Sequence, residues 1–311
     1  PAPLTTLSGS GVLKAPGSQT IKAPAEWLKG TEKYSLVISA LPGVEFLGAL
    51  KFLMQYPYGC IEQTTSSVYP LLYLKDVAAK TDPQKFSSDA IDNYINEGIE
   101  RILSMQTYSG GFSLWAGYND PNKFGSAYAT DFLVDAEKAG YNVPKSDKDA
   151  ALDYLETVLA GKENENPLEL KAYACYVLSK AGRQKQSWVR KLQERKNDLP
   201  EYARFYLAAA LMAMNDKQGV SEILGEGLVD KKIERKTGDD LDSYVKTNGL
   251  ALSMYMDIDP ENPIVPVLVK RLKGAMQNGN WGTTQDNAAA LLGLGKYIRY
   301  LNTQDTDYQG S

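Results

Sequence analysis

Cys60 and Gln63 stand three residues apart in the run Tyr56-Pro57-Tyr58-Gly59-Cys60-Ile61-Glu62-Gln63-Thr64-Thr65-Ser66. At a helix start or in a tight turn, that spacing puts both side chains on one side, so sulfur and carboxamide can meet. Attack of the Cys60 thiolate on the Gln63 amide carbon, with loss of ammonia, closes an internal thioester. A thiolate leaves an acyl group far more readily than an amine does, so the bond stores an electrophile. It lasts only where water is kept out, and Tyr56, Pro57, Tyr58 and Ile61 are the apolar and aromatic cover such a group needs. Gly59 lets the backbone turn tightly before the sulfur. Glu62 either hydrogen-bonds the loop or faces solvent, and no catalytic task falls to it. Cys175, in the apolar run Ala172 to Leu178, reads as a small buried hydrophobe.

Much other chemistry is excluded by composition. The 311 residues include no histidine, which removes the commonest general base, the Ser/His and Cys/His nucleophile pairs and most zinc sites. Two cysteines are too few for a disulfide framework or a four-ligand metal site. No Gly-rich phosphate loop or calcium-loop spacing occurs, and no cofactor is expected. The net charge of −4 gives no reason to approach a phosphate backbone, and the basic run Arg190 to Lys196 is diluted by Gln, Leu and Glu, so no nucleic acid is expected as a partner. The longest apolar run, Phe205 to Met214, is half the roughly 20 residues that span a bilayer. Asp131 with Asp135, or Asp239, Asp240 and Asp242, could pair as the acid and base of a glycoside hydrolase, although acidic clusters are usually solvated turns. Twenty tyrosines against seven phenylalanines could line a sugar-binding ring, but half-buried packing with a wet hydroxyl is the favoured reading.

The elements that must hold Cys60 and Gln63 are helices. Residues 1 to about 33 are rich in Pro, Gly, Ser, Thr and Lys, and Tyr34–Ala40 is a short strand-prone run stopped by Leu41-Pro42-Gly43. From Glu45 onward helical periodicity takes over, broken by Pro, Gly, Asn or Asp every 10 to 18 residues. A loose repeat recurs at Tyr128, Tyr173, Tyr206, Ala251 and Ala289, with spacings of 45, 33, 45 and 38 residues, the length of one helical hairpin. The expectation is an all-α fold, an α/α toroid of about six helical hairpins, preceded by a short β segment. About twelve helices are predicted, among them one over Cys60–Lys75, separate ones over Pro83–Ile91 and Asn93–Gln106, and a last one over Thr284–Arg299. Ser146, Pro167, Pro200 and Thr283 mark helix starts, and Gly140, Gly161 and Gly182 mark ends. Asp286 is placed to act at a helix N-terminus.

The run Gly59-Cys60-Ile61-Glu62-Gln63 resembles the thioester signature of the alpha-2-macroglobulin and complement family, and the longer Tyr56–Ser66 stretch looks like its bacterial branch. Two further regions support the resemblance: Gly110–Trp115 with Ser126–Leu133, and Trp281–Ala288. The resemblance implies a thioester-bearing α/α toroid over residues 43–305, inserted in a split β-sandwich (CUB-like) domain of which residues 1–42 are the entering part, with 306–311 as a tail. The Pro1-Ala2-Pro3 start, without initiator Met or leader, reads as a piece of something longer. Some complement-type members carry a histidine downstream of the thioester that steers transfer to hydroxyls. Here the corresponding stretch between Trp115 and Phe124 holds Tyr118, Asn119 and Asp120, so direct reaction with amines is expected.

What the resemblance implies for function is a broad-spectrum protease inhibitor, a single-use trap and no turnover enzyme. A protease cuts a bait segment elsewhere, domains that shielded the bond move, and a lysine of the protease takes the Gln63 acyl group while Cys60 leaves as a thiol. Target proteases and neighbouring shielding domains are the implied partners, and a periplasmic or envelope-associated, lipid-anchored protein is the implied setting. A thioester adhesin and a toroidal polysaccharide hydrolase are the alternatives.

Overall fold

The computed structural model describes residues 20, 30–32, 46–54, 59–81, 84, 86–225 and 243–304. Among them lie thirteen α-helices: α1 (Leu47–Leu53), α2 (Ile61–Val68), α3 (Leu71–Thr81), α4 (Ser88–Leu103), α5 (Lys123–Lys138), α6 (Lys145–Ala160), α7 (Leu168–Lys180), α8 (Gln186–Glu194), α9 (Glu201–Ala213), α10 (Lys217–Leu224), α11 (Tyr244–Ile258), α12 (Ile264–Ala275) and α13 (Thr284–Gln304). No sheet forms among the described residues; strand-like pairing is confined to isolated bridges such as Gln106 with Phe112 and Ser113 with Pro121.

Two kinds of helix follow from the apolar pattern. In α7 every residue from Leu170 to Ser179 is buried, and α5 is buried continuously from Gly125 to Val134. A helix covered on all sides must be surrounded by others. In α12 only Val265, Leu268, Val269 and Leu272 are buried, and in α8 only Val189 and Leu192, one stripe facing inward. The packing obeys this division. α2 lies on α5, α5 on α7, α7 on α9, α9 on α11 and α11 on α13, and α13 returns to α2, closing an inner ring of six. α4 backs α2, α6 spans α5 and α7, α8 spans α7 and α9, α10 backs α9, α12 backs α11, and α1 and α3 lie against α13. This is the expected α/α toroid. The tightest crossing is α11 on α13, where a Cβ on Gly293 would sit 2.6 Å from the Gly249 carbonyl oxygen, so the two backbones touch.

The ring axis is filled by tyrosines. Tyr173 and Tyr206 stack at 4.1 Å between ring centres, and Tyr176, Tyr128 and Phe124 extend the cluster. Beside it, the Lys180 ammonium is buried between Asp131 and Asp135, 2.7 Å from the latter. The Asp135 carboxylate also accepts from Tyr69 (2.6 Å) and Tyr73 (3.1 Å), and Asp131 accepts from Tyr173 (3.0 Å). Tyr69, Tyr73, Tyr128 and Tyr173 are therefore packing residues with bonded hydroxyls. The two aspartates are tied to a cation, which leaves the hydrolase reading without an unpaired acid and base there.

Several helix boundaries differ from the sequence expectation. Cys60–Lys75 is two helices, because Pro70 has no N–H to give to the Ser66 carbonyl. Where helices are expected over Pro83–Ile91 and Asn93–Gln106, the described residues form the single helix α4 over Ser88–Leu103: Ser87 caps it at Ala90 (3.2 Å), and Ile91, Ile95, Ile99 and Ile102 form one buried stripe straight past Asn93. Pro144, not Ser146, is the N-cap of α6, and Pro167 and Pro200 cap α7 and α9. Gly140 and Gly182 end their helices at φ +93° and +79°, whereas Gly161 ends α6 in extended backbone. The last helix runs on to Gln304. The expected strand Tyr34–Ala40, the tail 306–311 and Asp239, Asp240 and Asp242 lie outside the described residues, as do the boundaries proposed between domains.

Candidate covalent site at Cys60 and Gln63

Cys60 is the N-cap of α2, in extended backbone (φ −65°, ψ 176°), and Gln63 is its N3 residue. The two side chains cap one another. The Gln63 backbone N–H faces the Cys60 sulfur, and the Cys60 N–H donates to Gln63 Oε1 at 3.2 Å. The usual reciprocal cap of Ser and Glu is thus built from a nucleophile and a carboxamide. A carbonyl held by an N–H at a positive helix end is polarised for attack, and the same end favours the negative charge that develops.

The surrounding contacts fix this turn. A Cβ on Gly59 would lie 2.4 Å from Gln63 Cβ and 3.0 Å from its Oε1, so only glycine lets Gln63 fold back over the sulfur. Thr64 Oγ1 donates to the Gly59 carbonyl at 3.1 Å. The Ile61 N–H donates to the Leu114 carbonyl at 3.0 Å, which ties the start of α2 to the loop before α5. At Gly125 the α5 backbone leaves no room for a side chain against Ile61. Cys60 and Gln63 are half-buried, and Ile61 and Thr64 through Val68 are buried beneath them. Leu114, Trp115 and Tyr118, in the loop that carries this contact, are 44%, 42% and 67% exposed.

Glu62 points neither to the loop nor simply to solvent. Its carboxylate accepts from Ser66 Oγ at 2.7 Å and from Thr284 Oγ1 of α13 at 3.0 and 3.2 Å. Ser66 Oγ lies 3.3 Å from the Tyr128 hydroxyl. Burial pushes the Glu62 carboxyl above the usual range, opposed by Ser66, Thr284 and the Lys246 charge and assisted by Asp286. Burial also raises the Cys60 thiol; the backbone N–H groups of Gln63 and Glu62 oppose this and the Glu62 charge adds to it. Asp286 accepts from Ser243 at the start of α11 and from Thr283 (2.8 Å) at the start of α13, the helix-end role expected of it. Cys175 is fully buried in α7.

Of the sequence-singled residues, Gly59, Cys60, Glu62 and Gln63 come together here, while Tyr56, Pro57 and Tyr58 lie outside the described residues. Sequence reasoning did not single out Ser66, Thr284, Tyr128 and Lys246 individually, although three of the four lie within the stretches that carried the resemblance. Among the described residues no three Cys, Asp or Glu side chains are grouped to hold a metal ion, and no helix is long and apolar enough to cross a membrane.

The chain is similar to known proteins along most of its length. The family model described as the A-macroglobulin TED domain matches residues 36–155. Alpha-2-macroglobulin of Escherichia coli K12 is 29% identical over 308 residues, which cover 91% of this chain and 18% of that protein. Alpha-2-macroglobulin of Xylella fastidiosa Temecula1 is 28% identical over 286 residues, covering 85% and 17%. The chain therefore spans less than a fifth of these curated relatives. Among solved structures, native E. coli alpha-2-macroglobulin from domain MG7 to the C-terminus superposes with a TM-score of 0.72 at 26% identity, over 83% of this chain and 43% of that one. The Salmonella alpha-2-macroglobulin reacted with methylamine gives 0.72 at 28% identity, over 82% and 17%. The chain is thus similar along most of its length to bacterial alpha-2-macroglobulins, and its residues 36–155 match the A-macroglobulin TED domain.

Proposed function

We propose that this chain is the thioester-bearing part of a bacterial alpha-2-macroglobulin-type protease trap, in which Cys60 and Gln63 form the reactive bond. The reciprocal capping of Cys60 and Gln63 carries the reading: each of the two side chains is held by the other residue's backbone N–H at the positive end of α2. Cys60 sulfur adds to the Gln63 carbonyl carbon, the Cys60 N–H steadies the oxygen, and ammonia departs. The stored acyl group is then taken by a lysine amine of an attacking protease, leaving an amide to Gln63 and a free Cys60 thiol. Each molecule acts once, so the chain is a reagent and not an enzyme.

Further domains of the longer protein shield the bond, and the exposed Leu114, Trp115 and Tyr118 are the apolar surface beside the site on which a cover can rest. The relatives favour the same reading, since one solved E. coli structure is of the protein activated by porcine elastase and the Salmonella one was reacted with methylamine. A periplasmic or envelope setting, with a lipid anchor on the longer protein, belongs to this proposal.

The test is the intact mass of fresh protein with thiol titration, before and after methylamine. A mass short by one ammonia, restored by the amine as one thiol appears, is the expected result. A full mass and a free Cys60 in both this chain and the full-length protein would refute the bond. Labelling by glycerol as readily as by methylamine would refute the preference for amines.

A further inference from the structure

Resting on that reading, we propose that Glu62 is the proton acceptor and donor of amine capture: its carboxylate takes the N–H proton of the attacking amine and returns it to the departing Cys60 sulfur. The step needs such a group. An amine that adds to the acyl carbon carries a proton too many, and a sulfur that leaves as a thiol needs one. With no histidine in the chain, a carboxylate, a lysine, a tyrosine, the α-amino group or a thiol remains, and burial pushes the hydroxyl of Tyr128, the tyrosine beside Ser66, further up from its ordinary value.

Geometry selects Glu62 among the carboxylates. It lies between Cys60 and Gln63 in the first turn of α2, and its carboxylate is held by Ser66 one turn on and by Thr284 of α13. Its hydrogen bonds orient it without saturating it. A carboxylate offers about four acceptor positions. Ser66 supplies one proton, and Thr284, which has a single hydroxyl, supplies one more shared between both oxygens at 3.0 and 3.2 Å. Capacity is left for an incoming N–H. Asp286, the other acid nearby, has one oxygen bonded to Ser243 and the other to Thr283, and its task is to join the starts of α11 and α13.

The chemistry of the two ends agrees. Burial raises the Glu62 carboxyl, which makes its anion a stronger base than an exposed glutamate. Burial likewise raises the Cys60 thiol, so leaving as a bare thiolate is disfavoured and a proton delivered on departure matters. The charged groups acting on Glu62 are Lys246 of α11 and Asp286 of α13, with Tyr128 of α5 and Cys60 of its own helix as titratable neighbours. The balance closes. The amine nitrogen bonds to the Gln63 acyl carbon as one N–H proton passes to Glu62. The C–S pair then returns to sulfur, which takes that proton, and Glu62 is again a carboxylate.

The experiment follows thiol release from thioester-loaded protein with glycinamide, an amine weak enough to be partly neutral near pH 7, and corrects each rate for the neutral amine. Wild type should show a rising limb as Glu62 loses its proton. Glu62→Gln should react about 100-fold more slowly with no limb, the usual scale of general-base catalysis. Thr284→Val, which removes a donor that favours the charged carboxylate, should move the limb to higher pH. This second variant decides the matter if Glu62→Gln does not form the bond. A Glu62→Gln protein that is short by one ammonia yet keeps the wild-type rate and profile overturns the proposal, as does a limb unmoved in Thr284→Val. Both results leave the parent reading intact, because the wild-type mass reports that one separately.

Discussion

Gly59→Ala should separate formation of the bond from stability of the fold. The added Cβ would lie 2.4 Å from Gln63 Cβ, where ordinary contact begins at 3.4 Å, so something must move by about 1 Å. Gly59 is not in the left-handed region, so alanine costs nothing in backbone conformation and the penalty is contact alone. Gln63 Cβ is fixed to the backbone, so the first turn of α2 and the Gly59 segment must part, which draws the Gln63 carboxamide from Cys60 and gives up the 3.2 Å hydrogen bond to the Cys60 N–H. A misplacement of about 1 Å at reacting atoms costs on the order of 100-fold in rate, or about 2.7 kcal/mol of barrier. In the freshly purified variant, intact mass should show the ammonia retained and Cys60 should titrate as a free thiol from the outset. Helicity and Tm should stay close to wild type. Full thioester yield in Gly59→Ala would refute the argument that this contact sets the attack geometry, and a large loss of helicity would show that the glycine serves the fold.

Three further outcomes are expected. Gly293→Ala places a methyl 2.6 Å from the Gly249 carbonyl oxygen, backbone against backbone, and should destabilise by about 1–3 kcal/mol through overpacking, read as a lower urea midpoint. Lys180→Met leaves Asp131 and Asp135 buried without their cation and should cost about 3–5 kcal/mol at pH 7. In the wild type burial pushes Asp135 up, but the Lys180 charge outweighs it and holds the carboxyl below its ordinary value. Its contribution is therefore present above the ordinary aspartate pKa and lost as pH falls through the depressed one. The gap between variant and wild type should narrow as pH falls below about 4, from the ordinary aspartate value through the depressed one; a gap constant across that fall would show that charge is not the cause. Burial pushes the Cys175 thiol up to about 12, so native protein should yield one titratable thiol, at Cys60, after amine treatment, and the second only on unfolding.

The ring was legible because its inner and outer helices differ in how far round they are apolar, as the small-residue run from Tyr173 to Leu178 and the sparse stripe Val189, Leu192 show. The pair Cys60 and Gln63 was legible because their spacing is local. Helix ends were harder where cues competed. Apolar periodicity continues through Pro70, where the chain breaks, and Asn93 marks a break that the isoleucine stripe of α4 overrides. The partner of Glu62 was beyond reach, since Thr284 lies 222 residues away and only ring closure brings the two together. The pairing of Asp131 and Asp135 with Lys180 is of the same kind: each sits on an inner helix, and nothing in their separate neighbourhoods announces the other.

The seam of the ring gives the site a timetable. α2, with Cys60 and Gln63, leaves the ribosome early, and α13, whose Thr284 holds Glu62, leaves it last of all the helices described. Contacts of such sequence separation form late in folding. Until α13 arrives, α2 lacks one of its two ring neighbours and Glu62 lacks a donor. The surroundings of the Cys60–Gln63 turn are thus completed only when α13 has been made, so a chain that stops short of it holds that turn in an open ring.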